Sequence, residues 1–160
     1  MKTRLRHAWL ALVTMARLVV APSLRPLWWE MRAYCRALPD VFKPPLQDAL
    51  TRLTTDCRPL TVSPDTLRDL SDVAALLERR SPFGLCLRRS LLRYRFLRAG
   101  GVPVALRFGA RFVDGKPDRE VTGHAWLTLD GKPYYEAHEN WRDFTTMITW
   151  PTARDGKINT

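Results

Sequence analysis

The sequence predicts an α+β fold in which N-terminal helices are followed by a cysteine-bearing helix packed on a small antiparallel sheet. Three observations carry that expectation. As far as Gly100-Gly101 the apolar residues recur at spacings of three and four, in segments punctuated by proline. From Val104 the spacing changes to two, through Leu106, Phe108, Ala110 and Phe112. An Asp130-Gly131 pair then sits between two β-prone runs, a strong short-range hairpin signal. Helices first and strands afterwards is the α+β order.

The first segment has a basic start, Lys2, Arg4 and Arg6, and an apolar run from Ala8 to Ala16 that Arg17 interrupts. A bilayer span takes about 20 apolar residues, so this run is too short and too broken to cross. It also lacks the unbroken apolar stretch and small-residue cleavage site of a signal peptide. It reads as an amphipathic helix with Leu5, Trp9, Leu12, Ala16 and Val19 or Val20 on one face, packed on the core or on a partner. The flanking basic residues keep contact with a membrane surface open as the alternative.

A second helix starts after Ser23 and is expected to end at Pro39, burying Trp28, Met31, Cys35 and Leu38. Pro44-Pro45 open a shorter third helix, with Cys57 in the loop after it. Ser63 as N-cap and Pro64 as first residue start a fourth, expected to run to Arg80 with acids early and Arg79-Arg80 late, as the helix dipole favours. Ser81 and Pro82 signal a fifth helix of about 14 residues that Gly100-Gly101 stop. Its arginines, Arg88, Arg89, Arg93, Arg95 and Arg98, form either a solvated face or a surface for an acidic partner.

The fifth helix carries Cys86 in its first turn, where unpaired backbone N–H groups and the positive dipole end favour a thiolate. A nucleophilic cysteine needs a base beside it and a third group to orient that base. His124, on the strand VTGHAWLTL, and Glu136, on the strand expected in PYYEAHE, can fill those roles. Whether they meet depends on the hairpin. A two-residue turn of Asp130 and Gly131 pairs Leu129 with Lys132, sets His124 opposite Ala137 and turns Glu136 to the other face. A three-residue loop of Leu129, Asp130 and Gly131, with Gly131 in a G1 bulge, pairs Thr128 with Lys132 and puts His124 across from Glu136. The second register is the one expected here. Trp126 is then positioned to pack beside His124, and Tyr134 to share the Glu136 face and line a substrate cleft. After the hairpin, Phe144, Thr146 and Ile148 are expected on one face of a last strand.

These residues resemble a known family. CLRRSLLRYRFLRAGGVPVALRFGARF followed by GHAWLTLDGKPYYE is similar to the B proteins of lasso peptide biosynthesis, transglutaminase-like cysteine peptidases that remove the leader from a ribosomal precursor peptide. The likeness covers about residues 60 to 150. It implies a transglutaminase-like or papain-like core, with Cys86 as nucleophile and His124 as base. The family's third member is usually an aspartate, and here Glu136 stands in its place; Asp130, the nearest aspartate, is a turn residue. The resemblance further implies a precursor peptide as substrate and a separate leader-binding recognition protein as partner, and leaves the lasso cyclase open as another. On this reading the chain is one domain, with a helical part over 1–60, a catalytic core over 61–150 and a frayed tail over 151–160.

Composition bounds the alternatives. The chain carries 26 Lys and Arg against 16 Asp and Glu, a formal charge of +10, so an acidic partner is expected: nucleic acid, an anionic membrane surface or an acidic peptide. No zinc-finger spacing, Gly-rich RNA-binding signature or helix-turn-helix pattern is present, which argues against nucleic acid. Three cysteines without a Cys-x-x-Cys pair suit a reducing cytoplasm rather than a disulfide framework. Cys86, His124 and His138 match no zinc spacing, and neither metal nor organic cofactor is expected. The competing functions are a transglutaminase-like acyl transferase and a non-catalytic basic protein that binds nucleic acid or a membrane surface.

Overall fold

In the computed structural model, residues 2–55, 57–113, 120–136 and 139–151 are described. The chain divides into two compact units, Met1–Val102 and Pro103–Thr160. The first is helical: α1 (Lys2–Val20), a 3-10 turn (Pro22–Leu24), α2 (Arg25–Val41), α3 (Leu46–Thr55), α4 (Pro64–Leu77) and α5 (Leu85–Ala99). The second is an antiparallel sheet of β1 (Ala105–Phe112), β2 (Val121–Leu129), β3 (Lys132–Pro133) and β4 (Thr145–Trp150), in the spatial order β3-β2-β1-β4. The α+β class is as the sequence predicts. The β1–β2 loop over 114–119 and the tail from 152 onward lie outside the described residues.

α5 is the central helix of the first unit, against α2, α3 and α4. Leu91, Leu92, Phe96 and Leu97 are fully buried, as are Met31, Cys35 and Leu38 of α2, Leu50 and Leu53 of α3, and Leu67 and Leu70 of α4. Each such side chain contributes about 1.5–3 kcal/mol of transfer free energy. α5 ends as Gly100-Gly101 predict: Gly101 takes φ +80, and the Gly101 and Val102 N–H groups donate to the Arg98 and Leu97 carbonyls, the pattern of a Schellman cap.

Neither expectation for the α5 arginines describes Arg88 and Arg93, which are buried. Arg93 makes a two-pronged bond to the Asp72 carboxylate of α4, with both N···O distances 2.6 Å, and Arg89 reaches the same carboxylate at 3.2 and 3.4 Å. Arg88 donates to the Phe83 carbonyl at 2.6 Å. Arg95 lies over the Tyr34 ring and donates to the Leu53 carbonyl. These guanidinium groups are used inside the fold.

Two boundaries differ from expectation, and one of the two placements expected for α1 is excluded. α2 runs through Pro39 to Val41; the proline removes one backbone donor, and the Phe42 N–H still reaches the Leu38 carbonyl at 3.1 Å. α4 stops at Leu77, three residues before Arg80, because Glu78 leaves helical geometry (φ −90, ψ 74) and its carboxylate meets Arg36 and Arg32 of α2. Of the placements expected for the α1 stripe, on the core or on a partner, the core is not the one taken. Its stripe of Leu5, Trp9, Leu12, Val19 and Val20 does not pack on the core and is 62–84% exposed. Buried Thr14 and Leu18 mark the opposite face, α1 packs on α4, and Arg17 bonds to Asp69 and Thr66 there. That polar anchor fixes the rotation.

In the second unit β1 is the centre, with β2 on one side and β4 on the other. Its predicted apolar face is buried only at the start of the strand: Leu106 is fully buried, as is Val104 just before it, whereas Phe108 and Ala110 are half-buried and Phe112 is exposed. The expected face of Phe144, Thr146 and Ile148 is broken. Thr146 pairs with Gly109 and Ile148 with Phe108, so a bulge puts them against successive residues of β1.

Candidate active site

Cys86 is the second residue of α5 and is partly buried. The preceding Gly84 is the N-cap and offers no side-chain bond to the first turn. The opening N–H groups of a helix have no partner within it, so they and the dipole favour negative charge there. The Ser81 hydroxyl accepts from the Phe83 N–H at 3.3 Å, and Arg88 holds the Phe83 carbonyl, so the turn leading into Cys86 is tied on both sides of one residue.

His124 sits on β2 opposite Gly109 of β1. Two residues on, Trp126 lies on the same face of the strand. The imidazole stacks on its indole, with centroids 5.8 Å apart and planes 16° apart, and Phe144 lies 5.2 Å away on a tilt. Trp126 is 1% exposed, and its Nε1 finds no hydrogen-bond partner among the described residues. Gly109 is what admits the indole. A Cβ built there would stand 2.8 and 2.9 Å from Trp126 Cη2 and Cζ3, and 2.9 Å from Phe144 Cβ. Arg111 extends this face, over the Phe144 ring at 4.9 Å and paired with Asp143 at 3.2 Å.

The hairpin takes the register that was not expected. Leu129 pairs with Lys132 and Thr128 with Pro133, leaving a two-residue turn in which Asp130 has φ 50 and Gly131 φ 77. Positive φ at both positions is the geometry whose twist matches that of the flanking strands, and Asp-Gly suits it because aspartate tolerates, and glycine freely adopts, the left-handed region. Continued unchanged, this ladder would set His124 opposite Ala137, which lies outside the described residues, and turn Glu136 away. It does not continue. β3 ends at Pro133, so Glu136 is not on a strand; Tyr134 still donates to the Leu127 carbonyl at 2.9 Å, and Tyr135 then takes φ 58. A non-glycine residue with positive φ is uncommon, and it reverses the direction of the chain locally. The Glu136 carboxylate arrives 3.9 Å from His124 Nε2. Both side chains are about one-fifth exposed, 19% for His124 and 18% for Glu136.

Tyr134, opposite Leu127, stands across from the face of β2 that does not carry His124, and its ring lies 4.3 Å from that of Tyr135. His138 lies outside the described residues, and among the described residues no three His, Cys, Asp or Glu side chains gather as metal ligands. Gly109 and Tyr135 are the two residues that sequence reasoning passed over. A glycine inside a period-two run is the signal that points to the first. Tyrosine carries no signal for a left-handed turn.

A family model described as the transglutaminase-like superfamily matches residues 36–149, from the middle of α2 to the end of β4. No curated protein and no solved structure matches the chain.

Proposed function

The chain belongs to the transglutaminase-like superfamily, and from that premise we propose that it is a cysteine peptidase acting through Cys86, His124 and Glu136. The superfamily comprises cysteine-dependent enzymes, peptidases and acyl transferases. The substrate in this proposal is a ribosomally made precursor peptide, whose leader is removed during lasso peptide maturation. A separate leader-binding protein delivers it, the lasso cyclase takes the product, and the setting is the cytoplasm.

The observation that carries the reading is the approach of Glu136 to His124 Nε2 at 3.9 Å, over a buried tryptophan. With the carboxylate nearest Nε2, the proposal assigns the proton transfer from the nucleophile to Nδ1. The proposed cycle follows. Nδ1 accepts the Cys86 thiol proton, and the sulfur attacks the scissile carbonyl carbon. The Cys86 backbone N–H, at the helix start, stabilises the developing oxyanion. Collapse expels the amine, which takes the proton from the imidazolium, and leaves a thioester. Water, losing its proton to His124, attacks that thioester, and its breakdown returns the thiol and releases the carboxylate.

The test is incubation of the protein with a precursor peptide, with and without a leader-binding protein, read by mass. Cleavage that adds water and disappears in Cys86→Ala supports the proposal; cleavage that survives in Cys86→Ala ends it. Family membership equally supports transfer of the acyl group to an amine, and a product lighter by ammonia is the result that would select it. Salt-dependent retention on DNA without any peptide processing would instead favour a non-catalytic basic protein.

A further inference from the structure

We propose that the outer face of α1 docks on an anionic phospholipid bilayer, lying in its surface with the helix axis parallel to the membrane. Leu5, Trp9, Leu12, Ala16, Val19 and Val20 fall within about 60° of one line along the helix at 100° per residue. Five of them are 62–84% exposed, and they make up the largest group of exposed large apolar side chains on any described element. At about 1.5 Å per residue the stripe is about 22 Å long. The opposite face is already occupied, by burial of Thr14 and Leu18 and by the Arg17 bonds to α4. The outer face is therefore presented with its rotation fixed.

Charge decides what it meets. Lys2, Arg4, Arg6, Arg17 and Arg25 precede the first acidic residue of the chain, Glu30; Arg17 is taken up by Asp69 of α4, which leaves Lys2, Arg4 and Arg6 as the basic residues that lead in sequence into the stripe. An apolar stripe containing tryptophan and flanked by basic residues fits the boundary between anionic headgroups and acyl chains. A second copy of the chain would offer the same stripe but, through its own α1, no acidic side chain to meet the basic residues. No single helix among the described residues is long and apolar enough to cross a bilayer, and α1 and α2 are bent by 111° at their junction. The apolar face of α2 is used in the core, through Met31, Cys35 and Leu38. The geometry thus suits lying on a membrane rather than passing through it.

The test is co-sedimentation of the full chain with vesicles of equal parts phosphatidylcholine and phosphatidylglycerol, against vesicles of phosphatidylcholine alone. The expected result is retention on the anionic vesicles only, weakened as salt is raised from about 0.1 M to about 0.5 M. The Leu12→Glu, Val19→Glu variant replaces two outer-face residues, leaves the melting temperature unchanged, and loses about tenfold or more in vesicle affinity. The Arg4→Glu, Arg6→Glu variant, with the stripe intact, shows a comparable loss. Absence of retention on anionic vesicles, or equal retention of both variants, overturns the proposal. So does light scattering that finds a dimer which Leu12→Glu, Val19→Glu converts to a monomer, because the face would then belong to a second copy. Peptide cleavage plays no part in these readings, so they stand or fall independently of the proposed activity.

Discussion

Replacing Gly109 by alanine tests the platform beneath the histidine with a single methyl group. The new Cβ would lie 2.8 and 2.9 Å from two carbons of the Trp126 indole and 2.9 Å from Phe144 Cβ, well inside the 3.4 Å at which ordinary contact begins. Neither neighbour gives easily: one is a rigid ring almost fully buried, the other an atom fixed to the backbone. Overpacking of this kind costs about 1–3 kcal/mol. Removing a glycine from a strand returns about 0.5–1 kcal/mol through the unfolded chain. The net expectation is a loss of about 1–2 kcal/mol. For a chain of this size that lowers the melting temperature by about 2–8 °C. Gly123→Ala is the control, because the nearest atom to a Cβ there is the Gly109 carbonyl oxygen at 3.9 Å. It should melt at or slightly above the parent. Thermal unfolding followed by circular dichroism reads both. A Gly109→Ala protein as stable as the parent, or a Gly123→Ala protein destabilised to the same degree, would refute the argument that glycine is required to seat the indole.

Other expectations follow from the helices and the acid. Asp72→Ala leaves the Arg93 guanidinium buried without its carboxylate, at a cost of about 3–5 kcal/mol in urea unfolding. Adding Arg93→Met removes the stranded charge and should restore part of that loss; no recovery would show that the cost lies elsewhere. Burial pushes the Cys35 thiol from the ordinary 9.0 up to about 11, so it stays protonated when folded at a pH where the unfolded thiol has ionised. Its contribution to stability is whole below pH 9.0 and is lost as pH rises toward about 11. The urea midpoint should fall over that window, and Cys35→Ala should flatten the slope even though its baseline is lower; an unchanged slope would count against the burial argument. Glu136→Gln keeps the shape of the acid but not its charge, and should lower kcat roughly 10- to 100-fold while leaving the melting curve in place. A variant with undiminished kcat would remove Glu136 from the mechanism.

Much of the fold was legible because it rests on local signals. Ser63-Pro64, Gly100-Gly101 and the period-two run of β1 each state their conformation within a few residues, and the structure follows them. What could not be read depends on partners far away in sequence. The rotation of α1 is decided by Arg17 meeting Asp69, 52 residues on, and the burial of Arg93 by Asp72, 21 residues back. The early end of α4 is set by Arg36, 42 residues before Glu78. The hairpin is a different kind of failure. Asp-Gly states a tight turn, whereas matching His124 with an acid directly across the strands asks for a three-residue loop. The backbone preference for a two-residue loop prevailed, and the acid reached the ring by another route.

That route has a consequence for how the pair can vary. Two residues matched rung by rung on neighbouring strands cannot shift without shifting the whole ladder. Here only the imidazole is held by the sheet, while the carboxylate hangs from a short irregular segment steered by the torsion of Tyr135. An acid of different length can therefore be accommodated by resetting one peptide unit, with every strand left where it is.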